Sequence, residues 1–304
     1  MDGAGALEAV IQRLARARRL EVAVRQAMSG LGYQEIAVPL LEPDDGSADW
    51  GTAYRVLDGQ GAVLALRPDM TVPVARLCAL GDREGPRPRR LYYLGTLFRR
   101  GGTGTPHELW QAGAERIGGD RPTGDAEILR LVARCLEGAG FGSFLLAVGH
   151  MGYLRERLRR AGCGAACVEA VEAALRQRDF VALRRALNGA EEAVADLRWQ
   201  GDVSSALAGG IATDGAQGRA FAALLGACVR NGVGDRVLVE PGLVLPGHYY
   251  TGMVLEVSLP GVALPVGDGG RYDDLLGRWG RSEPAVGFAL DCDRLLDAAT
   301  EDGE

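Results

Sequence analysis

The stretch His107–Gly118 reads HELWQAGAERIG, and its alternation decides what kind of sheet this chain builds. Successive side chains of an extended strand point to opposite faces, so Gln111, Gly113 and Glu115 share one face and Trp110, Ala112 and Ala114 the other. An amide, a vacancy and a carboxylate in register form a floor able to hold a small polar cation. Glycine weakens a strand, and inside one it often marks close approach by a ligand. The plainer reading is a solvated sheet face; apolar residues on both flanks weigh against it.

Working outward, Leu91–Arg100 (LYYLGTLFRR) reads as a preceding strand, joined to the first by the glycine-rich loop GGTGTPH. Tyr54–Leu66 has the pattern of a hairpin around the turn DGQG. Tyr33–Leu41 (YQEIAVPLL) reads as a strand whose Pro39 suits an edge or an interface. Residues 6–29 carry helical periodicity, with Gly30 and Gly32 as the stop signal. Downstream, a helix is predicted over 125–137, with Asp125 near its start and Gly138 and Gly140 closing it. Gly142–Gly149 is apolar and strand-like.

From about 151 to 235 the text turns helical and rich in Ala, Arg and Glu. Strand patterns resume at Arg236, at Tyr249–Leu259 and at Ala263–Val266, and a final helix begins near Asp291. The fold class is α+β: an antiparallel-rich sheet core, 1–150 plus 236–304, flanked by helices and interrupted by a helical insertion, 151–235.

Composition narrows the function. At 304 residues the chain can bury about 75% of its unfolded surface, enough for a large core. A formal charge of −6 gives no electrostatic reason to seek nucleic acid. The N-terminus reads as an amphipathic helix rather than a signal peptide, and no apolar run approaches the roughly 20 residues that span a bilayer, so a soluble cytoplasmic protein is expected. All 34 cations are arginine; Schiff-base chemistry and a phosphate-loop lysine are excluded. Six cysteines are scattered, and only Cys163 and Cys167 lie close together, so buried thiols are expected rather than disulfides or a metal site. His107, His150 and His248 are the few candidates for acid–base work.

Further polar clusters stand along the chain. In LRPDMTVPVAR, Asp69 or Thr71 reads as a helix N-cap for 73–80, a role compatible with ligand contact. In HYYTGMVLEV, Tyr249 and Tyr250 are expected to face opposite sides. VGDGGRYDDLL reads as a glycine-rich turn without a lysine or dinucleotide-binding spacing, so its glycines carry no nucleotide assignment. The run REGPRPRR is most simply a solvated loop.

Together and in this order, these segments resemble the catalytic core of histidyl-tRNA synthetases, a class II fold, over nearly the whole chain. GYQEIAVPLLEP resembles the motif 1 dimer strand, LYYLGTLFRR with HELWQAGAERIG resembles motif 2, and AVGFALDCDRLL resembles motif 3. LRPDMT, HYYTG and GGRYDDLL are similar to the histidine-specific signatures. The resemblance implies that Asp69, Thr71, Gln111 and Glu115 line an amino-acid pocket closed by Tyr249 or Tyr250. It also implies that Arg99 meets an α-phosphate and that Arg294 holds ATP.

The departures point away from catalysis. Leu245 stands where the family has an arginine that neutralises charge at the reacting carboxylate and α-phosphate, a loss commonly costing about 10²–10³ in rate. The motif 2 loop RGGTGTPHE is short and lacks its charged clamp. Asp291 replaces a glycine beneath the nucleotide, and Asp69 shortens a glutamate. The text ends at Glu304 without an anticodon-binding domain. This pattern is similar to the regulatory-subunit family of ATP phosphoribosyltransferase, synthetase-like proteins that partner a short-form catalytic subunit in the first step of histidine biosynthesis. The resemblance implies a non-catalytic subunit with no cofactor, a class II-type homodimer within a larger hetero-oligomer, and histidine as effector. Two other readings stay open: an enzyme activating histidine or a related amino acid for a non-tRNA acceptor, and a free-standing histidine sensor.

Overall fold

The computed structural model describes residues 3–44, 53–81, 85–101, 107–190, 192–247 and 249–299. The glycine-rich loop and motif 2 loop assignments at 102–106, and His248, lie outside them.

The chain opens with a long helix, α1 (Gly3–Gly30), which stops where Gly32 takes a left-handed φ of +78°. Tyr33–Leu41 does not form one strand. Only β1 (Gln34–Glu35) pairs with the main sheet, and after Pro39 the chain crosses to a small second sheet as β2 (Leu41–Pro43). The buried Arg67 guanidinium holds this crossing by donating to the carbonyls of Val38, Pro39 and Thr96. The anticipated hairpin is present as β3 (Arg55–Leu57) and β4 (Val63–Leu66), its turn tied by Asp58 Oδ1, which accepts from the amides of Gln60 and Ala62. The short sheet runs in the order β2-β4-β3.

After α2 (Thr71–Leu80) come β5 (Arg89–Phe98) and β6 (Glu108–Ile117), paired antiparallel along their whole length. Helix α3 (Arg121–Gly138) starts earlier than 125: Asp120 is its cap, accepting from the Thr123 amide at 3.1 Å, with Pro122 in the first turn. Asp125 instead lies inside the helix and is buried against Arg271. Strand β7 (Leu145–His150) leads into five helices, α4 (Met151–Arg160), α5 (Ala165–Arg176), α6 (Phe180–Leu187), the single turn α7 (Val203–Ser205) and α8 (Ala216–Arg230). The chain then returns as β8 (Val237–Val239), β9 (Met253–Ser258), β10 (Gly267–Arg271) and β11 (Ala285–Asp291), and α9 (Cys292–Ala298) follows.

The main sheet has the order β1-β5-β6-β11-β10-β9-β7-β8. Its outermost pairs, β1 with β5 and β7 with β8, are parallel, and the remaining pairs are antiparallel. The stretch GDGGR, read as a turn, is the central strand β10. Packing explains its composition: a Cβ on Gly269 would stand 2.4 Å from the Gly287 carbonyl oxygen, and one on Gly270 2.5 Å from that of Met253. Glycine is required there for close approach of neighbouring backbones.

Alternation assigns the two faces. Tyr92, Ala112 and Ala114 enter the larger core with α1, α3 and α8, whereas Leu91, Tyr93 and Leu97 enter a second core beneath α2. The larger core also takes in Leu154, Val171 and Leu183 from the helical stretch after β7, so those helices share the hydrophobic interior of the sheet. Among the described residues no helix is long and apolar enough to cross a membrane.

Candidate functional site

On the α2 side of the sheet, β6 delivers Glu115 into full burial. Three hydroxyls donate to it: Thr71 Oγ1 at 2.8 Å, Tyr93 at 3.4 Å, and Tyr272 through a short bond to the other carboxylate oxygen. Burial pushes its pKa up to about 7 against the pull of those hydroxyls, and the Asp69 charge adds to the rise. Asp69 sits just before α2, where its Oδ1 accepts from the Val72 amide at 2.8 Å. The N-cap position itself is Met70, so Asp69 serves the first turn from one residue before the cap, while standing close enough to Glu115 to act on its charge. Burial raises the Asp69 pKa as well, with the Val72 amide and Arg99 opposing.

Two expectations change here. The vacancy above Gly113 is filled by Tyr93, its cross-strand partner: a Cβ at 113 would lie 2.5 Å from the Tyr93 hydroxyl and 2.5 Å from the Phe288 carbonyl oxygen. The glycine makes room for a tyrosine rather than for a ligand. Tyr249 and Tyr250 do not face apart either. They precede β9, and their ring centroids lie 4.7 Å from each other. Tyr250 is buried in the larger core, whereas Tyr249 stands edge-on to Tyr272 at 6.0 Å, beside the Glu115 cluster.

Next to this cluster opens a cleft of about 240 Å³, lined among others by Arg99, Gln111, Leu245, Asp268, Asp291 and Arg294. The structure thus brings Arg99, Gln111 and Arg294 together, while Asp69, Thr71, Glu115 and the tyrosines are packed outside the cleft wall. Arg99 is anchored by its Nε to the Pro68 carbonyl at 2.6 Å. Arg294 is held by Asp291 at 3.1 Å and by the Pro265 carbonyl at 2.5 Å. Asp291 also caps α9, its Oδ1 accepting from the Arg294 amide at 3.0 Å. Leu245 is buried, and its carbonyl accepts from Arg176 Nε at 3.3 Å. With Glu256, the cleft holds three carboxylates against two guanidinium groups.

Sequence reasoning missed Tyr93 and Tyr272. Tyr272 was within reach as the tyrosine of GGRYDDLL; Tyr93 required knowing that it lies directly across from Gly113. Of the histidines, His150 is buried and uses Nδ1 to accept from the Tyr153 amide, its pKa pushed down to about 4 by burial. His107 meets the Tyr54 hydroxyl. Neither lines the cleft. All six cysteines are free thiols, and no group of side chains among the described residues could hold a metal ion.

A model of the histidyl-tRNA synthetase family matches residues 6–295. A curated ATP phosphoribosyltransferase regulatory subunit from Symbiobacterium thermophilum is 36% identical, covering 94% of this chain and 76% of its own length. The chain belongs to the ATP phosphoribosyltransferase regulatory subunit family. A second regulatory subunit, from Geobacillus thermodenitrificans, is also 36% identical, over 89% of this chain and 73% of that one. Among solved structures, an ATP phosphoribosyltransferase regulatory subunit/histidyl-tRNA synthetase from Bacillus halodurans C matches with a TM-score of 0.86 and 28% identity, covering 94% of this chain and 79% of that chain. Histidyl-tRNA synthetase from Nostoc shares the regulatory subunit's fold, with a TM-score of 0.81 at 18% identity over 94% of this chain and 72% of that one. The class II synthetase-like architecture expected from the motifs is the one observed.

Proposed function

We propose that this chain is a non-catalytic regulatory subunit that acts on a separate, short-form catalytic subunit of ATP phosphoribosyltransferase, in the cytoplasm, at the first step of histidine biosynthesis. The observation that carries the proposal is the state of the cleft's cations. Leu245, buried, supplies no guanidinium, and Arg294 is tied to Asp291 and to a backbone carbonyl. An acyl-phosphate transition state forming there would lack the one cation expected at the Leu245 position, at a cost of about 10²–10³ in rate for one missing donor.

Histidine is the proposed effector, held near Asp69, Thr71, Gln111 and Glu115, in a chain that pairs with a second copy through its motif 1 segment. The 151–235 stretch is proposed to work as an insertion in the 1–150 plus 236–304 core. For histidine to control the partner, it must bind the competing quaternary states with different affinity, since equal affinity shifts nothing.

The test is the activity of a short-form catalytic subunit with and without this chain, and with histidine added. Activation that histidine reverses is the expected result; an unchanged rate overturns the proposal. Arg99 and Gln111, both still facing the cleft, favour a second reading in which the chain activates an amino acid. Histidine-dependent exchange of pyrophosphate into ATP by the purified chain would establish that reading instead.

A further inference from the structure

Leu245, Pro246 and Glu256 line the cleft and also a second, larger cavity of about 450 Å³. That volume falls inside the roughly 300–1,000 Å³ of small-molecule sites. Its remaining walls come from the end of α5, the start of α6 and the turn 192–198, set against the 240–246 loop. The loop lies directly on that turn: a Cβ at Gly242 would stand 2.3 Å from the Leu197 carbonyl oxygen.

Charge separates the two cavities. The larger one has three guanidinium groups, on Arg176, Arg178 and Arg198, against the carboxylates of Glu240 and Glu256. Arg178 lies 3.7 Å from Glu256, which leaves two cations facing one carboxylate. Arg176 uses its Nε on the Leu245 carbonyl, so its terminal nitrogens remain for another acceptor. The Arg198 side chain is exposed, and its guanidinium makes no hydrogen bond or ion pair to any of the described residues. Arginine forks of this kind match the oxygens of a phosphate.

One further feature points to the rest of the ligand. Phe180 borders the cavity at 69% exposure, an aromatic face left in water and available for stacking against a planar ring. Arg178 reaches this rim from the C-terminal stop of α5, where its left-handed φ of +52° belongs to the paired bonds from the Arg178 amide to the Leu175 carbonyl and from the Asp179 amide to the Ala174 carbonyl.

We propose that this cavity binds an aminopurine nucleoside monophosphate, with the phosphate on Arg176 and Arg198, the base against Phe180 and its exocyclic amine directed to Glu240. Because Leu245 and Pro246 line both cavities, an occupant bears on the same wall that bounds the cleft.

Calorimetric titration of the full chain with adenosine monophosphate tests this, with inorganic phosphate and histidine as parallel arms. Arg198→Ala and Phe180→Ser change exposed side chains, and unchanged thermal melts would show that both variants fold. The expected result is saturable nucleotide binding, weakened roughly tenfold or more by Arg198→Ala, the loss of one charge-assisted contact. Phe180→Ser is expected to weaken it too, and Arg294→Ala in the cleft to leave it unchanged. Absence of saturable binding overturns the proposal. So does a loss caused by Arg294→Ala and not by Arg198→Ala, which moves the nucleotide into the cleft. Inorganic phosphate binding as tightly as the nucleotide, or histidine being the ligand that Arg198→Ala weakens, would also refute it.

Discussion

Replacing Glu115 by Gln isolates the electrostatics of the buried hydroxyl cluster. The glutamate ionises near its ordinary value of 4.5 in the unfolded chain and at about 7 in the folded one. The native state therefore holds a proton that the unfolded state has released throughout this window. Stability contributed by the group is fully present below the unfolded value and is lost as pH rises through the folded one. The interval corresponds to about 3 kcal/mol, most of it falling between about pH 5 and about pH 8. Glutamine keeps the shape and an acceptor oxygen for the hydroxyls but does not titrate. The assay is urea unfolding of wild type and variant across that range, read as the difference between their stabilities. Reading the difference matters because His150, depressed to about 4 by burial, loses stability in the opposite direction as pH falls. The variant should gain on the wild type by about 2–3 kcal/mol from the acidic to the alkaline end. Parallel curves would refute the reasoning, showing that Thr71, Tyr93 and Tyr272 stabilise the anion enough to cancel its desolvation.

Asp125→Ala leaves the buried Arg271 without the partner that holds it at 2.5 and 2.9 Å, although Asp273 remains at 2.8 Å. A loss of about 3 kcal/mol is expected by chemical denaturation, and a loss below about 1 kcal/mol would mean that Asp273 suffices. Asp291→Ala removes the cap of α9 and should cost about 1 kcal/mol in thermal unfolding. It also releases Arg294 from one of its two partners, the Pro265 carbonyl remaining, yet Leu245 is unchanged, so pyrophosphate exchange is expected to stay at background; its appearance would identify Asp291 as the blocking residue.

The longest elements were legible because their patterns were strong. Strands β5 and β6 alternate cleanly, and the helices after β7 carry apolar spacing in Ala- and Arg-rich text. Strand β10 was not legible, since GDGGR has no side-chain alternation to read and its glycines answer to neighbouring backbones instead. Tyr33–Leu41 looked continuous because nothing local reveals that the chain changes sheets at Pro39, where Arg67 pins it from a distant position. At the site, the Gln111–Gly113–Glu115 face was readable from one strand. Of its hydroxyl donors Thr71 was named through the resemblance, whereas Tyr93 and Tyr272 were not, because they come from separated segments. The purpose of Gly113 was misjudged for the same reason: the space it leaves is claimed by a residue twenty positions upstream in the chain.

The margins of the main sheet have a consequence for how this molecule can meet others. At one side β1 offers only Gln34 and Glu35 before the chain turns away toward Pro39. At the other, the outer flank of β8 is already met by Gly201, bridged to Val239. Among the described residues neither border presents a long unpaired ladder, so adding a strand from a neighbouring molecule is disfavoured at both. A companion must instead match the contours of side chains standing off the sheet and its helices, a condition that selects for shape and charge rather than for an extended backbone.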